Sequence, residues 1–425
     1  MAITMNPLKL VTSGRFDILP KYVYAKFRDR NLQTSFGLDI YLEHLRVWNN
    51  FGQDGLSWDG KTGPETYLSS FNLLLDSLKH YRFDSNKSRV VINENKNLLH
   101  GSHRTAGCIF YNRPIGCEIG NEGACDFDYN FFKNKTIHVP EGLSQDFSDY
   151  IAYEYCKLKY NTFIVTIFPT AVGNTELVEN ILKSNGDIFY KKSVHLNNNG
   201  AFNLIKQMYN GESWGGNEFD NFSGFRNKTN LCFKHSGPAI VYVVNFNSDN
   251  LQDIESVKSE IRNIFNEGKH SVHINDTKEE TIRLARCLLN QNSVHFMNNS
   301  KESNYSNFKE QLNYFKNYIN NNNLNIEDYC ITGSSILSMY GLREGADLDY
   351  LHNGDEIVGH NMIHSHNEYS EGRYSTSIDD IIYNPKNHFY YDDVKVATLG
   401  IIDYVKSNRK EEKDIRDIEL IRSVS

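Results

Sequence analysis

The chain has 425 residues, 39% hydrophobic and 13% aromatic, enough apolar material for two or three packed domains rather than one. Its formal net charge of −8 argues against bulk affinity for nucleic acid or anionic membrane. No apolar run approaches the roughly 18 residues of a membrane span, and the opening MAITMNPLKLVTSGRF lacks the apolar core of a secretory signal. Seven cysteines scattered without a CxxC pair predict reduced thiols, a cytoplasmic location and no structural zinc.

Residues 1–158 open with helical periodicity, since 15–30 (RFDILPKYVYAKFRDR) and 38–51 (LDIYLEHLRVWNNF) space apolar residues three and four apart. Residues 52–63 read as a polar, glycine-rich loop, and FNLLLDSLKHY as a further amphipathic helix. VVI and LLH then read as strands around an NENKN hairpin turn, and HRTAGCIFYN opens a helix. Gly101-Ser102-His103-Arg104 falls at that strand-to-helix junction, where free backbone N–H groups and the helix dipole favour a phosphate. His103 offers a cationic or hydrogen-bonding contact, and the Arg104 fork matches phosphate in a bidentate way. Glu43 and His44 lie on the upstream helix, with no spacing that promotes them to a role.

The passage VVINENKNLLHGSHRTAGCIFY, with its preceding helix, resembles the fold shared by ParB proteins, sulfiredoxin and free-serine kinases, over about residues 70–120. The resemblance implies that Gly101, Ser102, His103 and Arg104 cradle nucleotide phosphates. Ser102 stands where sulfiredoxin carries a reactive cysteine, which argues against peroxide-repair chemistry.

Residues 159–298 alternate strands (TFIVTIF, AIVYVVNF) with helices (NTELVENILKS, DIESVKSEIRNIFN, KEETIRLARCLLNQ). TFIVTIFPTAV, GDIFYKKSVHL, SGPAIVYVV and KHSVHINDTKEETIRLA together resemble nucleoside diphosphate kinase, implying a ferredoxin-like fold. In that likeness His273 takes the place of the phospho-accepting histidine and Asp276 that of the motif's acid. Phe168 stands where the kinase has its essential lysine, and 236–273 is too short for the arginine-bearing nucleotide clamp. Without those cations the charge on a transferring phosphoryl group goes unneutralised, so the domain reads as degenerate.

Residues 298–306 are polar and aperiodic and read as a linker, followed by a helix over FKEQLNYFKNYINNN. Residues 329–350, YCITGSSILSMYGLREGADLDY, carry Gly333-Ser334 at a strand end and Asp347-Leu348-Asp349 at the start of the next strand. Strand residues two apart share a face, so Asp347 and Asp349 present paired hard oxygens suited to Mg²⁺ or Mn²⁺. Gly333 admits a polyphosphate close to the backbone, and Ser334 adds a hydroxyl. A Gly-Ser turn followed about a dozen residues later by Asp-x-Asp resembles the signature of the nucleotidyltransferase superfamily. The likeness continues through DDVKVATL and KSNRKEEKDIRDIEL, where Lys406, Arg409, Lys413, Asp414 and Asp417 fill the later helical positions. It implies a third carboxylate, for which Asp392 and Asp393 are the candidates, with Asp393 taken to complete the metal set. It also brings Lys395 towards a phosphate. His360, His364, His366 and His388 cluster after the motif, where HxH spacing on a strand can chelate a transition metal, but such a polar stretch often carries histidines by composition.

The expected architecture is therefore multidomain α/β and α+β, with a ParB/sulfiredoxin-like part at 1–158, a nucleoside diphosphate kinase-like part at 159–298 and a nucleotidyltransferase-like part at 307–425. The expected function is transfer of a phosphoryl or nucleotidyl group from a nucleoside triphosphate such as ATP to a small acceptor. By association with proteins of this general look, that acceptor is a sugar or polyol in surface-polysaccharide metabolism. Asp347, Asp349 and Ser334 carry the chemistry in this reading. A second reading makes the later domains non-catalytic nucleotide sensors or scaffolds around an N-terminal kinase-like domain. A third is a toxin- or defence-type nucleotidyltransferase acting on tRNA or protein, with the acidic charge weighing against tRNA.

Overall fold

The computed structural model describes residues 3–424 except 56–59, 122, 124–125, 135–140 and 370–371. It is a mixed α/β chain with three separate sheets. The first sheet holds β1 (Ile3–Met5), β2 (Val90–Ile92), β3 (Leu98–His100) and β4 (Ile115–Ile119) in the order β1-β4-β2-β3. Strands β2 and β4 run parallel, and β2 and β3 form an antiparallel hairpin. The turn between β2 and β3 forms because the Asn93 side chain accepts from the Asn97 N–H and Lys96 adopts φ 63°. Helices Ile18–Asp29, Phe36–Asn49 and Pro64–His80 confirm the predicted periodicity; β1 lay outside it.

The second sheet holds β5 (Thr162–Ile167), β6 (Gly186–Val194), β7 (Ala239–Phe246) and β8 (Val272–Ile274), all antiparallel, in the order β6-β7-β5-β8. Every residue of β5 is buried, as a central strand covered on both faces requires. Helices Thr175–Asn185 and Leu251–Phe265 connect β5 to β6 and β7 to β8. The single helix predicted over KEETIRLARCLLNQ is two, because Asn290 caps a new one at Gln291–Asn299 by accepting from the Ser293 N–H.

The third sheet holds β9 (Tyr329–Thr332), β10 (Leu348–His352), β11 (Ile363–Ser365), β12 (His388–Tyr391) and β13 (Val394–Ala397). Its order is β11-β10-β9-β13-β12, with β9 antiparallel to β10 and parallel to β13. Strands β12 and β13 form a tight hairpin whose two turn residues are Asp392 and Asp393, at φ 45° and 68°. Positive φ at both centres is the hairpin geometry that aspartate tolerates. The final helical region breaks at Lys410, φ 57°, into Leu399–Arg409 and Glu412–Arg422. The expected linker is pinned at Lys301, whose N–H donates to the Tyr340 carbonyl.

One buried apolar cluster runs from Leu10 and Phe16 through Phe189 and Leu288 to Phe315 and Phe389, so parts of all three sheets share a core. A second cluster, including Phe163, Val244 and Ile261, lies within the middle part. At the junction, Glu327 accepts from Arg286 (2.5 Å) and pairs with Lys395 (3.1 Å), and Tyr153 donates to it. Arg286 also holds Asp393 at 2.9 Å. Beside them Lys26 and Lys157 bracket the fully buried Glu154. Among the described residues no helix is long and apolar enough to cross a membrane, and the cysteines are free, buried thiols.

Burial alone would raise both glutamate pKa values, but the neighbouring cations outweigh it. Glu154 is held down to about 2 by Lys157 and Lys26, and Glu327 well below the usual range by Lys395, Arg286 and Lys157. These carboxylates therefore contribute stability above the unfolded value of about 4.3. That contribution is lost as pH falls through their folded values. Urea denaturation should show stability declining steeply between about pH 4.5 and 2. Glu327→Ala, which strands the buried Lys395 and leaves Arg286 to pair with Asp393, should cost about 3–5 kcal/mol at pH 7 in the same assay.

Candidate functional site

The strongest convergence of predicted residues is at the C-terminal end of β9. Asp349 on β10 pairs in register with Thr332, the last residue of β9, and Gly333 follows at φ 69°. A Cβ on Gly333 would collide with the Asp349 carboxylate, so glycine serves both the left-handed backbone and the close approach. Ser335 donates to the Asp347 carbonyl (2.8 Å), which ties the start of β10 to the turn. Gly333, Ser334, Asp347 and Asp349 thus line one cleft of about 180 Å³ with His366, Arg373, Tyr374, Lys406, Arg409 and Lys413.

The charges in this cleft are mostly matched. Lys406 pairs with Asp417 (2.7 Å) and Asp414 (3.4 Å), Arg409 with Asp414 (2.6 Å), and Lys413 with Glu411 (3.1 Å). The predicted helical residues therefore build an ion network that fastens the last two helices to the cleft wall. Arg343 reinforces it, pairing with Asp417 at 2.6 Å and reaching Ser334 Oγ at 3.4 Å. Asp349 is buried, and His366 Nε2 lies 3.0 Å from its Oδ1. The Tyr374 hydroxyl contacts both His366 Nδ1 (3.5 Å) and Thr332 Oγ1 (3.3 Å). Arg373, Tyr374 and Arg343 were missed by sequence reasoning, because their loops carry no periodicity, and His366 was weighed only as one of a histidine cluster.

Two expected members are elsewhere. Asp392 and Asp393 sit at the turn where β13 begins, beside the start of the parallel strand β9 and not beside its end at Gly333, and neither lines the cleft. Asp392 pairs with Lys316 and Asp393 with Arg286, so neither completes a metal set with Asp347 and Asp349. Lys395 is also withdrawn: it is buried and donates to the Glu327 carbonyl at 2.7 Å. Among the described residues no three His, Cys, Asp or Glu side chains stand together as a metal cluster. The Asp347 and Asp349 pair still fits Mg²⁺, which is usually held by one or two carboxylates with substrate phosphates and water.

The Gly101 box lies on a larger cleft of about 610 Å³, lined by Arg15, Trp48, Tyr67, Phe71, Phe127 and residues 101–104. Gly101 has φ 110° and precedes the helix Ser102–Phe110. Arg15, paired with the buried Asp17, donates to the Leu98 carbonyl (2.8 Å) and so fixes β3 beneath the box. The side chains differ from expectation. His103 turns inward, with Nε2 2.9 Å from the Tyr41 hydroxyl and its ring against Phe71. Burial, with Lys21 nearby, drives its pKa well below the usual value, so it is neutral and not a cation for phosphate. Arg104 donates to the Arg89 carbonyl (2.5 Å) and to Ser88 (3.1 Å), so its guanidinium secures the chain ahead of β2 while lining the cleft. The upstream Glu43 pairs with Arg46, and His44 is buried.

His273 on β8 opens on a cavity of about 740 Å³ lined by Tyr209, Trp214, Lys228, Lys258, Arg262, Lys269 and Asp276, among others. Burial, then Lys258, Lys228, Arg283 and Arg262, depress its pKa to about 3 and keep the imidazole neutral. Phe168 is buried against Phe233. The cations nearest His273 come from helices 223–232 and 251–265, which sequence spacing does not bring together. Lys258 is paired with Asp276 (2.6 Å) and Arg262 with Glu255 (2.6 Å).

Compared with known proteins, the chain matches no family model, no curated protein and no solved structure. Gly333→Ala tests the built geometry of the smaller cleft. The substitution should destabilise the chain by about 1–3 kcal/mol, the scale of left-handed backbone strain. A structure of the variant should show Asp349 displaced from His366.

Proposed function

We propose that the protein is a metal-dependent transferase acting at the Gly333–Asp349 cleft, moving a nucleotidyl group from a nucleoside triphosphate to a small acceptor. The observation that carries this reading is one cleft containing the glycine-serine turn that ends β9 and two carboxylates from the start of the adjacent antiparallel strand β10. Asp347 and Asp349 would hold Mg²⁺ or Mn²⁺, which supplies charge neutralisation at the triphosphate when bound. The Gly333 turn lets phosphate oxygens approach the backbone, and Ser334 offers a hydroxyl. An acceptor oxygen bonds to the α-phosphorus, the bond from that phosphorus to the bridging oxygen breaks, and diphosphate leaves. The acceptor's proton passes to water. Positioning and charge neutralisation are the protein's main contributions.

The order β11-β10-β9-β13-β12 and the Gly333 turn support the nucleotidyltransferase likeness for the C-terminal part. The order β6-β7-β5-β8, with one helix crossing over in each half, supports a ferredoxin-like, kinase-like fold for the middle part. The β2–β3 hairpin leading through Gly101 into a helix supports the ParB/sulfiredoxin likeness. There the phosphate contacts would be backbone N–H groups of the helix start rather than His103. The wide aromatic cleft beside Gly101 suits the second substrate, a sugar or polyol phosphate or a second nucleotide. Buried free thiols are consistent with a cytoplasmic setting.

A second reading, non-catalytic nucleotide binding, is favoured by the cleft lining, which among the described residues holds no carboxylate besides Asp347 and Asp349. One experiment separates the two. Thermal shift with ATP, CTP, GTP and UTP, with and without Mg²⁺, should reveal metal-dependent stabilisation. Asp347→Asn with Asp349→Asn should fold normally yet lose both that stabilisation and diphosphate release. Stabilisation without diphosphate release, across a panel of sugar and polyol acceptors, would establish the non-catalytic reading. Undiminished release by the double variant would exclude this cleft.

The middle cavity is assigned no group transfer. Phe168 supplies no cation, and Lys258 and Arg262 are already neutralised by carboxylates. Incubation with γ-labelled ATP should leave no acid-labile, base-stable phosphohistidine at His273, and His273→Ala should leave turnover unchanged.

A further inference from the structure

The cleft at Gly333 has a charge problem that most of its cations do not solve. Asp347 and Asp349 can balance a divalent ion, but the phosphates of a bound triphosphate bring several further negative charges. Lys406, Arg409, Lys413 and the adjacent Arg343 each face a carboxylate already. Lys406 is buried as well, so swinging out would strip one of two cations from each of the buried Asp414 and Asp417. Among the described residues, Arg373 is the one cation lining this cleft that forms no ion pair with a carboxylate.

Its position is set by its neighbour. Tyr374 is buried, and its hydroxyl meets Thr332 at the end of β9 and His366 beside Asp349. Those contacts anchor Tyr374 against the floor of the cleft. Arg373 is then held at the cleft wall, partly exposed, while Asp349 is engaged by His366. A planar guanidinium beside a metal-binding pair, with its donors uncommitted to carboxylate, suits bidentate capture of phosphate oxygens.

We propose that Arg373 is the phosphate-binding cation of this cleft, taking oxygens of the triphosphate that Asp347 and Asp349 do not reach through the metal. The inference rests on the triphosphate reading of the cleft, and the two can fail separately. Isothermal titration of the full chain with inorganic tripolyphosphate and Mg²⁺ isolates the phosphate contacts from any base preference. Arg373→Ala should weaken binding about tenfold or more, the scale of a charge-assisted contact. Arg373→Lys should recover part of that loss, since a point charge replaces the fork. Arg416→Ala, removing an exposed charge from the last helix, should stay within about twofold of wild type. The unliganded melting temperature of Arg373→Ala should match wild type, which separates a binding defect from a folding one.

If Arg373→Ala binds as wild type does while the Asp347→Asn, Asp349→Asn variant does not, the role of Arg373 is overturned and the cleft reading stands. If wild type does not bind, or binds equally well without the two aspartates, the cleft reading fails and the inference falls with it.

Discussion

Glu327 is the constraint on which the arrangement of the molecule depends. It immediately precedes β9 and is gripped by Arg286 from the middle part, Lys395 from β13 and Tyr153 from the first part. A half-buried carboxylate so placed, between the buried Lys395 and the part-buried Arg286, is costly to lose, which makes the junction cooperative. The same clamp consumes the charges at the N-terminal end of β9: Lys395 and Asp393 are both spent there. Open chemistry is left to the opposite end, where β9 runs into Gly333 and β10 begins with Asp347 and Asp349. The polarity of the third sheet therefore follows from an interaction with no direct part in the proposed reaction.

The contrast between the clefts follows from packing. At Gly333 the lining is mostly polar, with Ile402 and Val405 at its helical side, and most of its cations are held in pairs that keep the last two helices in place. Such a site is small and preorganised, as positioning a phosphate chain demands. At Gly101 the lining is wider and aromatic, with Trp48, Tyr67, Phe71 and Phe127 around the helix start. That surface offers flat apolar contact more than charge. On the proposed reading the two clefts divide the work, one neutralising a triphosphate and the other accommodating the rest of the chemistry's partners.

How much of this was legible in the sequence depended on how local each feature is. Gly333, Ser334, Asp347 and Asp349 lie within one strand–turn–strand segment, so period-two alternation and glycine chemistry sufficed to bring them together. The strands VVI, LLH and TFIVTIF and the long amphipathic helices were legible for the same reason. Asp393 was misplaced because DDVKVATL reads as the start of a strand, whereas both aspartates form the turn before it, and only sheet direction reveals which end that is. His103 reads as an exposed phosphate ligand, yet Tyr41, some sixty residues away, draws it into the interior. His366 and Arg373 fall in a loop whose composition says only that it is polar. Their neighbourhood is made by Tyr374 reaching Thr332, a contact no periodicity announces.

The most direct test of the central claim is a crystal structure of the full chain with Mg²⁺ and an α,β-methylene nucleoside triphosphate chosen by thermal shift. The account predicts metal density bridging Asp347 and Asp349 to the phosphates, with the phosphate chain lying along the Gly333–Ser334 turn. Density for the nucleotide confined to the Gly101 cleft or the His273 cavity, with the Asp347–Asp349 cleft empty at saturating ligand, would contradict it.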